Sequence, residues 1–154
     1  LFLSQSQYAR DILQRSHFAA LKPIATPMSV KSSQTEPIDT TLSNHTKYRS
    51  LVGTLQYLTL TRSVLSYAVN RVCQYMHKPT IAHFQMVKRI LRYVSGTLDM
   101  GIQIHHQSTL RLYAFSDSGW AGCPDTRRST TGFCSFLGSI ILSWSAKKQP
   151  TVSH

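Results

Sequence analysis

The hydrophobic pattern of this chain changes its period near Gly101, and this change is the feature that most constrains the fold. Between residues 46 and 96, apolar side chains recur at intervals of three and four residues, which is the spacing of one buried helix face. After Gly101 apolar and polar residues alternate, which is typical of strands that bury one face. The sequence therefore predicts an α+β protein, in which a helical segment is followed by an antiparallel sheet.

Residues with side-chain hydroxyls mark the expected beginnings of the helices. Ser4 is the expected N-cap of a short first helix, and Thr46 is that of a second. Thr80 is the expected N-cap of the last helix, which Gly96 ends, so that residues 46 to 96 form a unit of three helices. The preceding residues 29–45 are rich in Ser and Thr and poor in apolar side chains, which predicts a flexible loop.

Three strands are predicted to follow one another as an antiparallel meander. Apolar and polar residues alternate over residues 110–115 and 132–137, and a third run covers residues 140–145. Residues that favour turns, among them Pro124 and Gly138, separate these runs. The strands are therefore close enough in sequence to pair with their immediate neighbours.

The charge of the chain points to a polyanionic partner. Seventeen Lys and Arg residues against six Asp and Glu residues give a net charge of +11 over 154 residues. Such an excess favours association with nucleic acid, the commonest polyanion. Because only six carboxylates are present, a site that needs several acidic metal ligands is difficult to build.

The cysteines and the apolar runs indicate an intracellular protein without a membrane span. Cys73, Cys123 and Cys134 are odd in number and lack the C-x-x-C spacing of metal sites, which fits a reducing compartment. No apolar run approaches the roughly 20 residues that a membrane helix needs, and the opening residues do not form a secretion signal. We therefore expect no membrane partner and no secretion.

Basic side chains on the last predicted helix are the first candidates for phosphate contacts. Lys88 and Arg89 lie three or four residues from Arg92, so they share a helix face with it, and Arg71 lies on the neighbouring helix. A solvated helix face is the alternative for any single run of charges. Because residues 80–98 contain no compensating acid before Asp99, phosphate contact is slightly favoured.

A second basic group lies around the predicted sheet. Arg127 and Arg128 occupy a turn, and Lys147 and Lys148 follow the last strand. With nearby aromatic side chains they would form a surface that holds nucleic acid by phosphate contacts and base stacking. The alternatives are solvated charges and aromatic side chains packed in the core, and core packing is preferred for Trp144. The aromatic side chains concerned are Tyr113, Trp120 and Trp144.

Asp117 is the most informative carboxylate, because it directly follows an apolar strand. A carboxylate at the end of a central strand is well placed to hold Mg²⁺ for phosphodiester chemistry. Judged by the residues alone, an Asp that begins a turn is the favoured interpretation. His105 and His106 would point to opposite faces of a strand, so no metal role is assigned to histidine or to cysteine.

Several motifs, in order along the chain, resemble those of copia-type retrotransposon Pol polyproteins. Residues 48–59 read Y-R-S-L-V-G-T-L-Q-Y-L-T, and residues 88–93 read K-R-I-L-R-Y. Residues 115–122, 125–132 and 143–152 are similar to that family's Y-S-D-S-D-W-A-G, D-x-R-x-S-T-x-G and I-S-W-x-S-K-K-Q-P-T-V motifs. The resemblance covers essentially the whole chain and implies a plant element as the source.

The resemblance also implies how the chain is divided. Residues 1–28 are similar to the end of the reverse-transcriptase palm and thumb region, and residues 46–100 to the helical thumb and connection. Residues 101–154 are similar to the first part of an RNase H domain, so a partial RNase H-like antiparallel sheet is expected. The family's first metal-binding carboxylate corresponds to Asp117. This residue is therefore the expected catalytic residue and Mg²⁺ ligand of the intact parent enzyme.

Departures from the family pattern predict that the chain is not catalytic in isolation. The polymerase motif Y-V-D-D is absent, and the sequence stops at His154, before the S-S-T-E-A-E-Y motif that supplies a second RNase H carboxylate. Asp117 alone cannot fix two metal ions. The family also implies a template–primer or RNA–DNA hybrid as partner, the rest of the Pol polyprotein as a second partner, and a place in the cytoplasm or nucleus.

Two alternatives stay open at this point. The chain is either a segment of a working Pol polyprotein or a non-catalytic, basic, nucleic-acid-binding relic of a decayed element. A further alternative is a product that does not fold stably, because a partial RNase H sheet would expose an apolar face and an open edge.

Overall fold

The computed structural model describes residues 1–18, 20–29, 40–106, 109–123 and 126–152. The chain divides into two compact units, a helical unit over Ser4–Met100 and a sheet unit that combines Leu1–Leu3 with Gly101–His154. Helices therefore come first and an antiparallel three-stranded sheet comes last. The prediction of an α+β fold is confirmed.

The helical unit packs its described α-helices around one apolar core. The helices are α1 (Ser6–Ser16), α2 (His45–Leu58), α3 (Ser66–Cys73) and α4 (Ile81–Ser95), and a short 3-10 helix (Ser63–Leu65) precedes α3. Each helix turns its apolar stripe inward, because side chains three and four residues apart share a face. The largest fully buried side chains include Tyr48, Leu55, Leu58, Leu65, Ile90 and Leu91.

A buried hydrogen bond joins α2 to α3 inside this core. The hydroxyl of Tyr48 donates to the Val72 carbonyl oxygen over 2.8 Å. Burial raises the pKa of Tyr48, and the nearby Cys73 and Tyr75 add to the increase. The hydroxyl therefore stays protonated and keeps its role as a donor, which satisfies a polar group that would otherwise be costly to bury.

Two of the three predicted N-caps are wrong. Ser4 does not cap α1, because it is the last residue of a strand, and α1 begins after Gln5. Thr46 lies inside α2, which begins after Asn44, whose side-chain oxygen accepts from the Lys47 N–H over 2.8 Å. Asn and Thr are both competent caps, so two such residues close together leave the first turn ambiguous in the sequence.

The prediction for the last helix is confirmed at both ends. The Thr80 hydroxyl accepts from the His83 N–H, and Nδ1 of His83 accepts from the Thr80 N–H over 3.0 Å, which completes a capping box. At the other end Gly96 is the C-cap of α4. A capping residue before the long apolar stripe and a glycine after it make both ends of this helix predictable from the sequence.

The predicted flexible loop over residues 29–45 falls largely outside the described residues. Its described end is hydrogen-bonded: the Leu42 N–H donates to the Pro79 carbonyl over 2.9 Å, and the Ile81 N–H donates to the Thr40 carbonyl over 3.1 Å. An isolated antiparallel bridge joins Thr41 to Thr80 between these bonds. Thr40 to Leu42 are thus held against the beginning of α4.

Two short strands in the sheet unit pair with each other. They are β1 (Phe2–Ser4) and β2 (Gly101–Gln103). The Leu1 and Ile104 backbones extend the pairing, with the Leu1 amino group 3.1 Å from the Ile104 carbonyl oxygen and the Ile104 N–H 2.8 Å from the Leu1 carbonyl oxygen. The sequence does not predict β1, since three residues are too few to show a period.

The predicted three-strand meander is confirmed. Its strands are β3 (Leu112–Gly119), β4 (Thr130–Leu137) and β5 (Ile140–Lys148), paired antiparallel in the order β3-β4-β5. The β4–β5 register shifts once, next to Ser135 and Phe136. β4 is therefore the central strand, and β3 is an outer strand of this three-stranded sheet.

The three-stranded sheet has two chemically different faces, because alternate residues of a strand point to opposite sides. One side, here named the apolar face, carries Tyr113, Phe115, Cys134, Phe136, Ile141 and Trp144. Phe115 and Phe136 meet edge to face on it, with ring centroids 6.1 Å apart. The other side, here named the hydroxyl face, has Phe133 near its middle and Leu112, Leu137 and Ile140 at one end. Its remaining side chains include the hydroxyl residues Ser116, Ser118, Thr131, Ser135, Ser143 and Ser145.

Candidate nucleic-acid interface

The sequence suggests that Asp117 directly follows a strand, but in the structure it lies within β3. It pairs with Gly132, and Ser118 and Gly119 continue the pairing with Thr131 and Thr130. The apolar alternation ends at Phe115, but backbone pairing does not need apolar side chains and continues beyond it. β3 is also an outer strand of the three, so the expectation of a carboxylate at the end of a central strand is wrong.

The surroundings of Asp117 offer few further ligands for a metal ion. Its side chain is exposed, and Oδ1 accepts from the Ser118 N–H over 2.8 Å. Asp117 is the one carboxylate in β3, β4 and β5. Across the described residues there is no group of three or more His, Cys, Asp or Glu side chains that could hold a metal ion. These residues do not fit a two-metal site, which needs several carboxylates.

The sheet brings four predicted basic residues to the end that also holds Asp117. Arg127 and Arg128 lie in the connection between β3 and β4, and Lys147 and Lys148 pair with Thr131 and Thr130 at the end of β5. This group, named here the sheet-end cluster, consists of Arg127, Arg128, Lys147 and Lys148. Its members come from positions about 20 residues apart in the sequence. Because Lys147 and Lys148 are adjacent in β5, they point to opposite faces of the sheet at this end.

One member of the sheet-end cluster helps to close the connection between β3 and β4. Nζ of Lys148 lies 3.0 Å from Sγ of the buried Cys123. The backbone of the connection is tied by bonds from the Arg127 N–H to the Cys123 carbonyl over 2.8 Å and from the Cys123 N–H to the Arg128 carbonyl over 3.2 Å. Lys148 therefore has a structural contact, and the Arg127 and Arg128 backbones are fixed near it.

The other four predicted basic residues belong to the helical unit, and three of them make contacts within it. Nζ of Lys88 lies 5.2 Å from the centre of the Phe84 ring. Arg89 donates to the Thr26 hydroxyl, and Arg92 donates to the Lys22 carbonyl, each over 2.8 Å. These bonds hold the segment after α1 against α4. The fourth residue, Arg71, lies in the last turn of α3.

Arg62 is a buried arginine of the helical unit that the sequence does not single out. It is 3% exposed, and its guanidinium donates to the Thr97 hydroxyl over 3.2 Å and to the Leu98 carbonyl over 2.8 Å. Burial lowers the pKa of this guanidinium. Because it binds the backbone just beyond α4, Arg62 closes the C-terminal end of that helix, where a cation is favoured.

The sequence also does not predict a polar cluster on the hydroxyl face, formed by Gln149, Thr131 and Ser118. Nε2 of Gln149 donates to the Thr131 hydroxyl over 2.7 Å and lies 3.4 Å from the Ser118 hydroxyl oxygen. The two hydroxyl oxygens are 3.5 Å apart. The signal that could have revealed this face is the repeat of hydroxyl residues at every second position, as in Ser143 and Ser145.

In the part of the chain that the structure describes, no helix is long and apolar enough to cross a membrane.

Sequence comparisons with plant proteins place the chain in a family. It is 55% identical over 155 residues to an uncharacterized mitochondrial protein of Arabidopsis thaliana, covering 100% of this chain and 64% of that protein. It is 49% identical to the retrovirus-related Pol polyprotein from transposon RE2 of the same plant, over 99% of this chain. The chain belongs to the copia-type, retrovirus-related Pol family.

The Pol relatives are much longer than this chain, which spans 10% of the RE2 polyprotein. A second uncharacterized mitochondrial protein of Arabidopsis thaliana is 49% identical over 92 residues, and the chain covers 83% of it. The family assignment predicted from the motifs is therefore confirmed, as is the plant relationship. No protein-family profile matches the chain, and no solved structure matches it.

Proposed function

We propose that this chain is the Pol segment that joins the end of the reverse transcriptase to the beginning of RNase H, and that it binds nucleic acid without catalysis of its own. Residues 1–28 and 46–100 are assigned to the polymerase side, and residues 101–154 to RNase H. The observation that carries the proposal is the sheet end, where the four residues of the sheet-end cluster accompany the single carboxylate of Asp117.

The chemistry of this sheet end supports binding more than hydrolysis. Four cationic side chains attract the phosphates of an RNA–DNA hybrid or a template–primer without reading sequence. One exposed carboxylate does not hold the two metal ions that phosphodiester hydrolysis uses. In the parent enzyme, Mg²⁺ would need further carboxylates from the rest of the Pol polyprotein, with Asp117 as the first of them. An intracellular location fits the odd number of cysteines in the sequence, Cys73, Cys123 and Cys134.

Replacing Asp117 with Asn separates the binding proposal from a catalytic one. The variant is expected to bind an RNA–DNA hybrid at least as tightly as the parent chain, because a negative charge is removed beside the phosphates. With Mg²⁺ present, neither protein is expected to cleave the RNA strand. Fluorescence anisotropy and a gel cleavage assay measure the two properties. Cleavage by the parent chain that Asp117→Asn abolishes would overturn the proposal.

The salt dependence of binding measures how many cations contact phosphates. If each residue of the sheet-end cluster replaces one counterion, the affinity falls roughly a hundredfold between 50 and 200 mM salt. Arg127→Ala is then expected to reduce the slope of log affinity against log salt by about one. Arg10→Ala is the matched control, because Arg10 is an exposed arginine paired with Asp99 at 3.5 Å. Equal slopes for both variants would contradict the role of Arg127.

A further inference from the structure

We propose that the hydroxyl face of the three-stranded sheet is a platform for single-stranded nucleic acid, on which Phe133 stacks an unpaired base. The inference rests on the proposed function, nucleic-acid binding, and names both the surface and the form of the ligand. It concerns the side of the sheet opposite to Asp117, since Asp117 shares its side with Phe115 and Tyr113.

Phe133 has the position of a stacking residue. It lies in the middle of β4, the central strand, and is nevertheless 47% exposed. Its partners across the two strand pairs are Ser116 and Ser145, so small hydroxyl side chains flank the ring on both sides. Because the side chains next to it are short, an aromatic ring in the centre of a sheet leaves one flat face accessible, and a base can stack on that face.

Fixed polar groups lie next to the ring on the same face. Thr131 is two residues before Phe133 in β4, so its side chain lies about 7 Å away along the strand. The Gln149 amide holds the hydroxyls of Thr131 and Ser118 through contacts of 2.7 and 3.4 Å. These groups can donate to and accept from a sugar or base edge beside the stacked base, since a hydroxyl serves in either direction.

The charge of the face suits a polyanion. Lys147 pairs with Thr131 and is exposed on this face, and β3, β4 and β5 place no carboxylate there. Arg127 and Arg128 lie at the same end of the sheet. A duplex hides the flat faces of its bases within the stack, whereas a single strand offers them to an aromatic side chain. The face therefore fits a single strand, with the base on Phe133 and a neighbouring phosphate near Lys147.

Phe133 variants and a matched phenylalanine test this surface. The first probe is a fluorescein-labelled oligouridylate of about 15 nucleotides, which is longer than the stretch of single strand that most single binding domains cover. The second probe is an oligothymidylate of equal length. Phe133→Ala is expected to weaken binding of both about tenfold, because the stacked base is common to them. Phe133→Leu is expected to weaken binding similarly, since it keeps apolar bulk but loses the flat ring. Phe115→Ala, at 62% exposure on the apolar face, is expected to change nothing.

A second readout tests stacking directly. Phe133→Trp is expected to retain the affinity, and the added indole emission is expected to be quenched when the oligonucleotide binds. Circular dichroism shows whether each variant is folded, and Phe133→Trp and Phe133→Leu keep the proposal testable if Phe133→Ala unfolds. Unchanged affinity in Phe133→Leu, or no added quenching in Phe133→Trp, would overturn the platform.

The failure of the platform is distinguishable from failure of the proposed function. If Phe133 variants bind like the parent chain and binding still weakens with salt, the platform is wrong and nucleic-acid binding stands. If the parent chain binds neither the oligonucleotides nor the RNA–DNA hybrid, the proposed function fails and the platform fails with it. An equal loss in Phe133→Ala and Phe115→Ala would also count against the hydroxyl face as the binding surface.

Discussion

Replacing Arg62 with Ala is expected to lower the free energy of unfolding of the helical unit by about 3 kcal/mol. The substitution removes two hydrogen bonds, to the Thr97 hydroxyl and the Leu98 carbonyl, from a residue that is 3% exposed. It leaves the Leu98 carbonyl without its charged donor and opens a cavity beside the end of α4. Urea denaturation followed by the helical circular-dichroism signal measures the loss.

An exposed arginine with a similar backbone contact provides the control. Nε of Arg49 donates to the Met76 carbonyl over 2.9 Å, and its side chain is exposed. Arg49→Ala is expected to cost less than about 1 kcal/mol, because water can replace the bond. Arg62→Lys is expected to recover little, since an ammonium does not reproduce the fork of a guanidinium. Equal costs for Arg62→Ala and Arg49→Ala would show that burial gives Arg62 no special role.

Replacing Phe115 with Lys is expected to weaken self-association of the isolated chain. The highest concentration at which the chain is still monomeric should rise by about an order of magnitude. β3 is exposed along its whole length, and Phe115 places an apolar ring in the middle of it. An exposed outer strand with apolar side chains pairs readily with another chain, and a lysine on such a strand opposes that pairing. Analytical ultracentrifugation over a concentration series measures the change.

A charged substitution elsewhere separates this effect from a general gain in solubility. Leu60 belongs to the helical unit and, at 59% exposure, is about as exposed as Phe115 at 62%. Leu60→Lys adds the same charge but touches no strand, so it is expected to leave the association of the chain largely unchanged. If both lysine variants shift the monomer range equally, net charge and not the outer strand controls association.

The sequence predicts the helices and strands best where a pattern repeats over many residues. α4 shows its apolar stripe over four turns between Thr80 and Gly96, and both of its ends are found where predicted. β1 is missed because its three residues show no period and its pairing depends on β2, about a hundred residues later. The cap of α2 is displaced because Asn44 and Thr46 are both able to cap, and the packing of the first turn decides between them.

The candidate site is less readable from the sequence, because it depends on partners that are distant along the chain. The spacing of Arg89 and Arg92 places them on one helix face, but it does not show that they bind the segment at Lys22 and Thr26. The sequence identifies Lys147 as basic, whereas its position on the hydroxyl face follows only from the register of β5 against β4. Composition therefore predicts a class of ligand, and the strand register is needed to propose a surface for it.

The pairing of β1 with β2 has a consequence for the order in which the chain folds. The backbones of Leu1 and Ile104 bond to each other although they are 103 positions apart. Closing so large a loop of unfolded chain carries an entropic cost that short-range contacts avoid. Because the helical unit lies between the two segments in the sequence, its folding shortens the effective length of the loop that must close. During synthesis β1 would therefore stay unpaired until the residues after Met100 had left the ribosome. Its pairing with β2 is thus expected to follow the folding of the helices.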